Sequence, residues 1–261
     1  MKLKEFAENH PKAVVGFSGG VDSSYLLYAG LSAGADWRPV YVRTVFQPAF
    51  EYADAQRMCA FLGVELTVIQ EDILAYQKIR ENPSDRCYHC KRVLFGRIAA
   101  WTKDQGIPLL LDGNNASDPI EDRPGMRAAQ ELGVRSPLRE AGLTKQEIRE
   151  LSREAGLFTW NKPAYACLAT RIPTGIVLEP ETLKKVETGE ESLREMGFSD
   201  LRIRVFHGAA RLQIPESQME TVIQKREQIL HRLEPVFSTV MLDLNARPDM
   251  ELSFPPKKRE N

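Results

Sequence analysis

Residues 14–27 read VVGFSGGVDSSYLL, and that stretch decides the fold. Residues 13–17, AVVGF, form a short apolar run with the character of a buried strand. The YLLYAGLSAG that begins at Tyr25 has the character of a helix. Between them lies SGGVDSS, where a strand-to-helix turn would hold a phosphate. Gly19 and Gly20 have no Cβ, so the backbone can turn tightly and bring its N–H groups close to an anion. Ser18 and Ser23 add hydroxyl donors, and the start of the helix adds partial positive charge. The spacing excludes two other phosphate loops. No Lys-Ser/Thr follows as in a Walker A loop, and the dinucleotide G-x-G-x-x-G is absent.

Outward from the loop, strand-like and helix-like segments alternate. RPVYVRT (38–44) leads into a helical pattern carried by Ala55, Met58, Cys59 and Leu62, and VELTVIQ (64–70) is rich in β-branched residues. A long helical pattern runs through Val93, Leu94, Ile98 and Trp101 to near Gly106, before the apolar PLLLDG (108–113). This alternation predicts an α/β fold, a parallel sheet covered by helices on both faces. Thr144 to Glu147, TKQE, forms a capping box before another helix. The turn-rich stretch 159–176 reads as a crossover, after which the order becomes α-β-β-α-β. Its helices fall at about 180–196 and 217–232, and its strands in LRIRVFHG, ARLQIP and VFSTVMLDL. We therefore expect an ATP-binding unit over 1–165 and a small α+β unit over 166–261, ending in a disordered PPKKREN tail.

Composition narrows the class. Thirty-five basic and thirty-six acidic residues leave a formal charge of −1, which argues against a non-specific nucleic-acid binder. No apolar run reaches the length of a membrane span, and the N-terminus lacks a signal-peptide pattern. These features predict a cytoplasmic protein with no membrane partner. There, a C-x-x-C is a metal or redox site sooner than a structural disulfide.

The glycine loop resembles the PP-loop of the ATP pyrophosphatase superfamily, signature S-G-G-x-D-S. That resemblance implies cleavage of ATP between its α and β phosphates and adenylation of a substrate oxygen. Ser18, Gly19, Gly20, Asp22 and Ser23 would then hold the pyrophosphate end of ATP and its Mg²⁺.

The chain has four cysteines. Cys59 falls on the apolar face of a helix and reads as core. Cys87 and Cys90, in DRCYHCK, open a helix, a position expected to favour thiolates. Cys167 lies in the crossover, in PAYACLATR. Three thiolates can hold three irons of a [4Fe–4S] cluster and leave the fourth open. With His89 or His207 they could instead form a Cys₃His zinc site. Thiols without any metal are the third possibility.

Over nearly its whole length the chain resembles LarE-type enzymes, ATP-dependent sulfur transferases of nickel-pincer nucleotide cofactor biosynthesis. The resemblance rests on the glycine loop, LLLDGNNASDPIEDRPG, GVRSPLREAGLTKQEIRELSREAGL and TWNKPAYACLATRIPTG. It implies adenylation of a carboxylate on a pyridinium mononucleotide, followed by conversion to a thiocarboxylate. Some members give up sulfur from one cysteine of their own; others carry three cysteines and a [4Fe–4S] cluster. Cys167 lies where the sacrificial cysteine is found, and the extra Cys87 and Cys90 favour the cluster form.

The resemblance also implies nucleotide contacts from Asp112, Gly113, Asn114, Asp118 and Arg123, and a substrate pocket shaped by Arg171, Glu190, Arg202 and Arg204. Arg202 and Arg204, two apart on a strand, would share a face. It further implies a homo-oligomer acting on a small-molecule nucleotide, and it leaves the sulfide donor open. The nearest alternative is a PP-loop enzyme that thiolates tRNA.

Overall fold

The computed structural model describes residues 3–118 and 124–248. Arg123 and the PPKKREN tail lie outside the described residues. Four parallel strands, β1 (Lys12–Gly16), β2 (Asp36–Arg43), β3 (Thr67–Gln70) and β4 (Leu110–Leu111), form a sheet of order β3-β2-β1-β4. Alternation along the strands assigns side chains to two layers. Ala13, Val15 and Tyr41 pack with Leu26, Leu27, Ala55 and Met58, from the helices Val21–Ser32 and Ala49–Leu62. Val14, Val40 and Val42 face the other way, against Phe95 and Ile98 of the helix Arg86–Asp104. Coverage on both faces is why β1 reads as a continuous apolar run.

Two strands are shorter than their sequence suggests, for local reasons. Gly63 ends the helix before β3 at φ 71°, and Val64 N–H turns back to donate to Cys59 O. The first residues of VELTVIQ therefore serve the helix cap. After β4, Asp112 N–H donates to Arg135 O, and Leu111 forms a parallel bridge with Arg135, so the outer edge is covered by a loop.

The second sheet contains β5 (Arg202–Phe206), β6 (Ala209–Gln213) and β7 (Val240–Leu242). β5 and β6 are antiparallel and β6 and β7 parallel, so the sheet is mixed. The helix expected near 217–232 is two pieces, Met219–Gln224 and Arg226–Leu233, meeting at Lys225. Lys225 Nζ donates to Met196 O at the break, a tertiary contact with no local signal. The helix Pro180–Glu195 packs Leu183, Val186 and Leu193 into a core with Ile203 and Leu212. Phe46, Ile73 and Ile79, from the chain around β2 and β3, enter that same core. Leu168 N–H donates to Phe46 O at 2.9 Å across this seam. No helix among the described residues is long and apolar enough to cross a membrane.

Candidate functional site

A cavity of about 440 Å³ opens at the carboxyl ends of β1, β2 and β4, the place where open parallel sheets bind ligands. One wall holds Ser18, Asp22 and Ser23; another holds Asp112, Gly113 and Asn114; Tyr165 and Cys167 close a third. Six residues singled out from the sequence for nucleotide binding thus line one space, together with Cys167.

The glycine loop is built by contacts among its own atoms. Ser18 Oγ and Ser23 Oγ are 3.1 Å apart, and Ser18 Oγ accepts from Gly20 N–H at 3.3 Å. Gly19 has φ 70°, and a Cβ there would lie 2.8 Å from the Ala55 backbone. Gly113 is closely packed too: an added Cβ would lie 3.0 Å from Ser23 N, and its neighbours would have to give by a few tenths of an ångström. The loop after β4 therefore presses directly on the first turn of the helix Val21–Ser32.

Asp22 is the charged residue of this turn. It pairs with Lys145 Nζ and accepts from Asn115 Nδ2 at 3.2 Å. Lys145 is the first residue of the helix Lys145–Glu154, fixed by the expected capping box between Thr144 and Glu147. A cation already sits on the Asp22 carboxylate, which is the charge environment a divalent ion would supply. Asp112 is buried, and burial pushes its carboxyl up despite bonds from Ser136 Oγ and Asn114 N–H.

Lys162 joins the crossover to the glycine loop. Its Nζ lies 3.0 Å from Glu51, 2.7 Å from Asp54 and 3.5 Å from Gly19 O. Burial is the largest influence on Glu51 and pushes its carboxyl up, opposed by Lys162.

The cysteines separate by environment. Cys59 is buried among apolar side chains, as expected, and burial pushes its thiol up to about 12. Of the other three, Cys167 lines the cavity, Cys90 is half-buried and Cys87 is exposed. Arg86 Nη2 donates to Cys87 Sγ at 3.8 Å and Cys167 Sγ at 3.9 Å, so those two sulfurs flank one nitrogen. Cys90 packs against the same apolar core as Cys167.

The expectation of thiolates at the helix start is corrected for Cys90. Burial dominates there, the thiol is pushed up to about 12, and the neighbouring Cys167 and Cys87 add to the shift. Cys90 stands in the second turn, beyond the first-turn reach of the helix dipole. Burial likewise pushes Cys167 up, against the opposing charge of Arg86.

Among the described residues no three His, Cys, Asp or Glu side chains converge on a single-ion site. His89 Nε2 is 3.1 Å from Asp85, and His207 sits at φ 48° in the β5–β6 turn against Phe206. Neither completes a Cys₃His zinc set. A cluster needs a wider triangle of thiols, which sulfurs sharing one guanidinium nitrogen, with a third close by, do not preclude.

Arg171, Glu190, Arg202 and Arg204 do not line the cavity; they form a layer behind the Cys167 loop. Arg171 Nε donates to Glu190 Oε1 at 2.7 Å and Arg171 Nη1 to Ala166 O at 2.9 Å. Glu190 also accepts from Ile203 N–H and from Tyr165 Oη, whose aromatic ring lines the cavity. Arg202 and Arg204 share a face, as their spacing implies, donating to Ala164 O and Thr170 O. Burial pushes Arg202 down to about 10, helped by the Arg171 and Arg247 charges.

Sequence reasoning missed Arg86, Asn115, Lys145, Lys162 and Tyr165. Lys145 carried a signal, as the residue after a capping Thr; Asn115, Lys162 and Tyr165 take their positions from long-range contacts, and Arg86 is held by Asn82 four residues before it and meets Cys167 of the crossover.

No family model matches the chain. It is 33% identical over 225 residues to an uncharacterised protein of Synechocystis sp., covering 85% of this chain and 83% of that protein. It is 30% identical over 236 residues to the pyridinium-3,5-bisthiocarboxylic acid mononucleotide synthase of Lactiplantibacillus plantarum, covering 89% and 86%. A more distant relative is the tRNA-specific 2-thiouridylase MnmA of Thermotoga maritima, 26% identical over 196 residues, of whose length the match covers 54%.

Proposed function

The chain belongs to the LarE family, that of the pyridinium-3,5-bisthiocarboxylic acid mononucleotide synthase, and from this premise we propose that it thiolates a carboxylate of a pyridinium mononucleotide at the expense of ATP. One observation carries the proposal: a single cavity joins the glycine loop to Cys167. Activation and sulfur delivery can share it without release of an intermediate.

In this reading Ser18, Gly19, Gly20 and Ser23 hold the departing pyrophosphate, with backbone N–H groups and the helix start supplying donors. Asp22 holds Mg²⁺, taking the place of its contact with Lys145, and the freed ammonium turns to the phosphates. Gly113 and Asn114 contact the nucleotide from the wall after β4; Arg123 is assigned to the same wall by resemblance. A substrate carboxylate oxygen attacks the α-phosphorus; that P–O bond forms as the bond to the β-phosphate oxygen breaks. Pyrophosphate leaves with the electron pair. Sulfur then attacks the acyl carbon, a C–S bond forms, and AMP departs with the electrons of the C–O bond. Arg171, Glu190, Arg202 and Arg204 shape the substrate end, acting through the Cys167 loop that they brace.

We assign Cys87, Cys90 and Cys167 as ligands of a [4Fe–4S] cluster. When bound, it supplies an open iron at which sulfide is held as a nucleophile. A second reading has Cys167 surrender its own sulfur, and the favouring observation is that Cys167 alone of the three lines the cavity. A free nucleotide is preferred over tRNA because the MnmA match covers about half of that enzyme and the chain is near neutral.

The test is pyrophosphate release by protein prepared without oxygen, alongside its iron and labile-sulfide content. Asp22→Asn abolishes release while any cluster remains; normal release in that variant refutes the loop assignment. Cys90→Ser adenylates without transferring sulfur. Iron-free protein in which Cys167 loses the mass of one H₂S per turnover establishes the sacrificial reading instead.

A further inference from the structure

Arg86 is buried, 7% exposed, and among the described residues no carboxylate lies within ion-pair distance of its guanidinium. Arg171, which also touches the Cys167 loop, has its charge matched by Glu190. Arg86 has neutral neighbours instead. Its Nη1 donates to Asn82 Oδ1 at 2.7 Å, and its Nη2 donates to Cys87 Sγ at 3.8 Å and Cys167 Sγ at 3.9 Å. Cys90, one turn further along the same helix, shares the face of Arg86. The ring of Phe46, itself buried in the core, lies 6.0 Å from the Arg86 Cζ. Asn82 ties this guanidinium to the loop after Cys167. Its Nδ2 donates to Pro173 O at 2.9 Å, and its own carbonyl accepts from Gly175 N–H at 2.8 Å.

A buried cation without a counter-charge is costly, and an anion placed beside it offsets the cost. The sulfurs at Nη2 are the atoms that turn negative when metal binds, because the ligand is the thiolate. Three thiolates outweigh the positive charge of an oxidised [4Fe–4S] core, so the assembled site is a net anion. Nη1 is held by Asn82, which fixes the guanidinium in place and leaves Nη2 aimed at sulfur. Hydrogen bonds to cluster sulfurs and the net charge around them are two of the levers that set a cluster's reduction potential.

We propose that Arg86 is the charge-balancing residue of the three-cysteine site, donating from Nη2 to the ligand sulfurs of Cys87 and Cys167, retaining the cluster and raising its reduction potential. The inference rests on the reading of Cys87, Cys90 and Cys167 as cluster ligands and adds the residue that governs the charge of that site. One electron from an external reductant makes the cluster more negative by one charge, which the guanidinium stabilises. Without Arg86, reduction is harder and the potential falls. The net anion is then buried with no cation beside it, and iron is lost more readily.

The experiment reconstitutes the full chain with ferrous iron and sulfide under argon. The midpoint potential is read by dithionite titration followed by electron paramagnetic resonance, and iron retention by the rate of loss to a chelator. Arg86→Gln removes the charge and keeps an N–H donor; Arg86→Lys keeps the charge. Arg86→Gln is expected to lower the potential by about 59 mV or more, a tenfold shift in a one-electron equilibrium. It is expected to lose iron about tenfold faster, the size of effect that outer-shell partners of metal ligands have on affinity. Arg86→Lys stays closer to wild type in both. A cluster kept by Arg86→Lys and lost by Arg86→Gln supports the proposal on retention alone. ATP binding and melting temperature of each variant verify that the chain is folded. Equal potentials and equal iron retention in wild type and Arg86→Gln overturn the proposal and leave the cluster reading standing. Loss of the cluster from both variants, in chains that still bind ATP, makes shape rather than charge the requirement and overturns it too. Wild type that takes up no iron removes the cluster reading and this one with it.

Discussion

Arg171 Nε lies 2.7 Å from Glu190 Oε1, and both side chains are 1% exposed. The pair sits behind the Cys167 loop, with Arg171 Nη1 also bonded to the carbonyl of Ala166. Breaking such a pair leaves an uncompensated buried charge, at a cost of about 3–5 kcal/mol. Glu190→Gln is therefore expected to lose stability of that order in urea unfolding. Replacing both residues, by Arg171→Met with Glu190→Leu, should recover part of the loss. A Glu190→Gln protein as stable as wild type but with a raised KM would make Glu190 a substrate contact and remove its bracing role.

The two loop glycines are expected to respond differently to one methyl group. Gly19→Ala forces a Cβ against the Ala55 backbone, at a φ that costs an L-residue about 1–2 kcal/mol. The loop must move, so ATP affinity and melting temperature should both fall. At Gly20, φ is −82° and an added Cβ meets only Ser18 Oγ, at 3.3 Å. Gly20→Ala should melt close to wild type and lose affinity only through crowding of the phosphate. Equal melting temperatures for the two variants would contradict the difference in packing.

The sheet was legible because its signals are local. A run such as residues 13–17 is apolar on both faces, and the turn that follows needs glycine, so strand, loop and helix start can be read from a dozen residues. The capping box was legible for the same reason. Glu190 was not, because a glutamate in the helix ETLKKVETGEESLRE looks like any solvated charge until Arg171 arrives from elsewhere. The Cys90 thiol was misjudged because its position near a helix start is local and its burial is not. Lys162 lies in a turn-rich crossover with no periodicity, and only the packed fold brings it to Gly19.

Lys145 and Thr144 divide a structural task from an electrostatic one. Thr144 caps the helix that carries Lys145, and Thr144→Ala should cost about 1 kcal/mol of stability. Lys145 puts its ammonium on Asp22, in the wall of the cavity. In the proposed reading Mg²⁺ takes its place on Asp22, so without Lys145 the phosphates of ATP lose the ammonium that turns to them. Lys145→Met is expected to raise the KM for ATP about tenfold, the size of a lost charge-assisted contact, with little change in melting temperature. An unchanged KM would mean that the ammonium takes no part once nucleotide binds.

Glu51 gives stability a pH dependence whose sign is fixed by its surroundings. Its side chain is 13% exposed, facing Lys162, Asp54, Arg194 and Tyr41. Burial raises its carboxyl, Lys162 and Arg194 pull it back, and the net direction is up. The folded protein then binds this proton more readily than the unfolded chain. Stability is lost as pH rises from the ordinary glutamate range through the raised folded value, and is level above it. Glu51→Gln should flatten that slope in urea unfolding measured across the window. Lys162→Met should steepen it and carry it to higher pH, because the nearest compensating charge is gone. It should also weaken ATP binding, since Lys162 holds the carbonyl of Gly19. A slope that survives Glu51→Gln would assign the titration to another buried carboxyl, with Asp112 the first to examine, since its own shift has the same direction and the same leading cause.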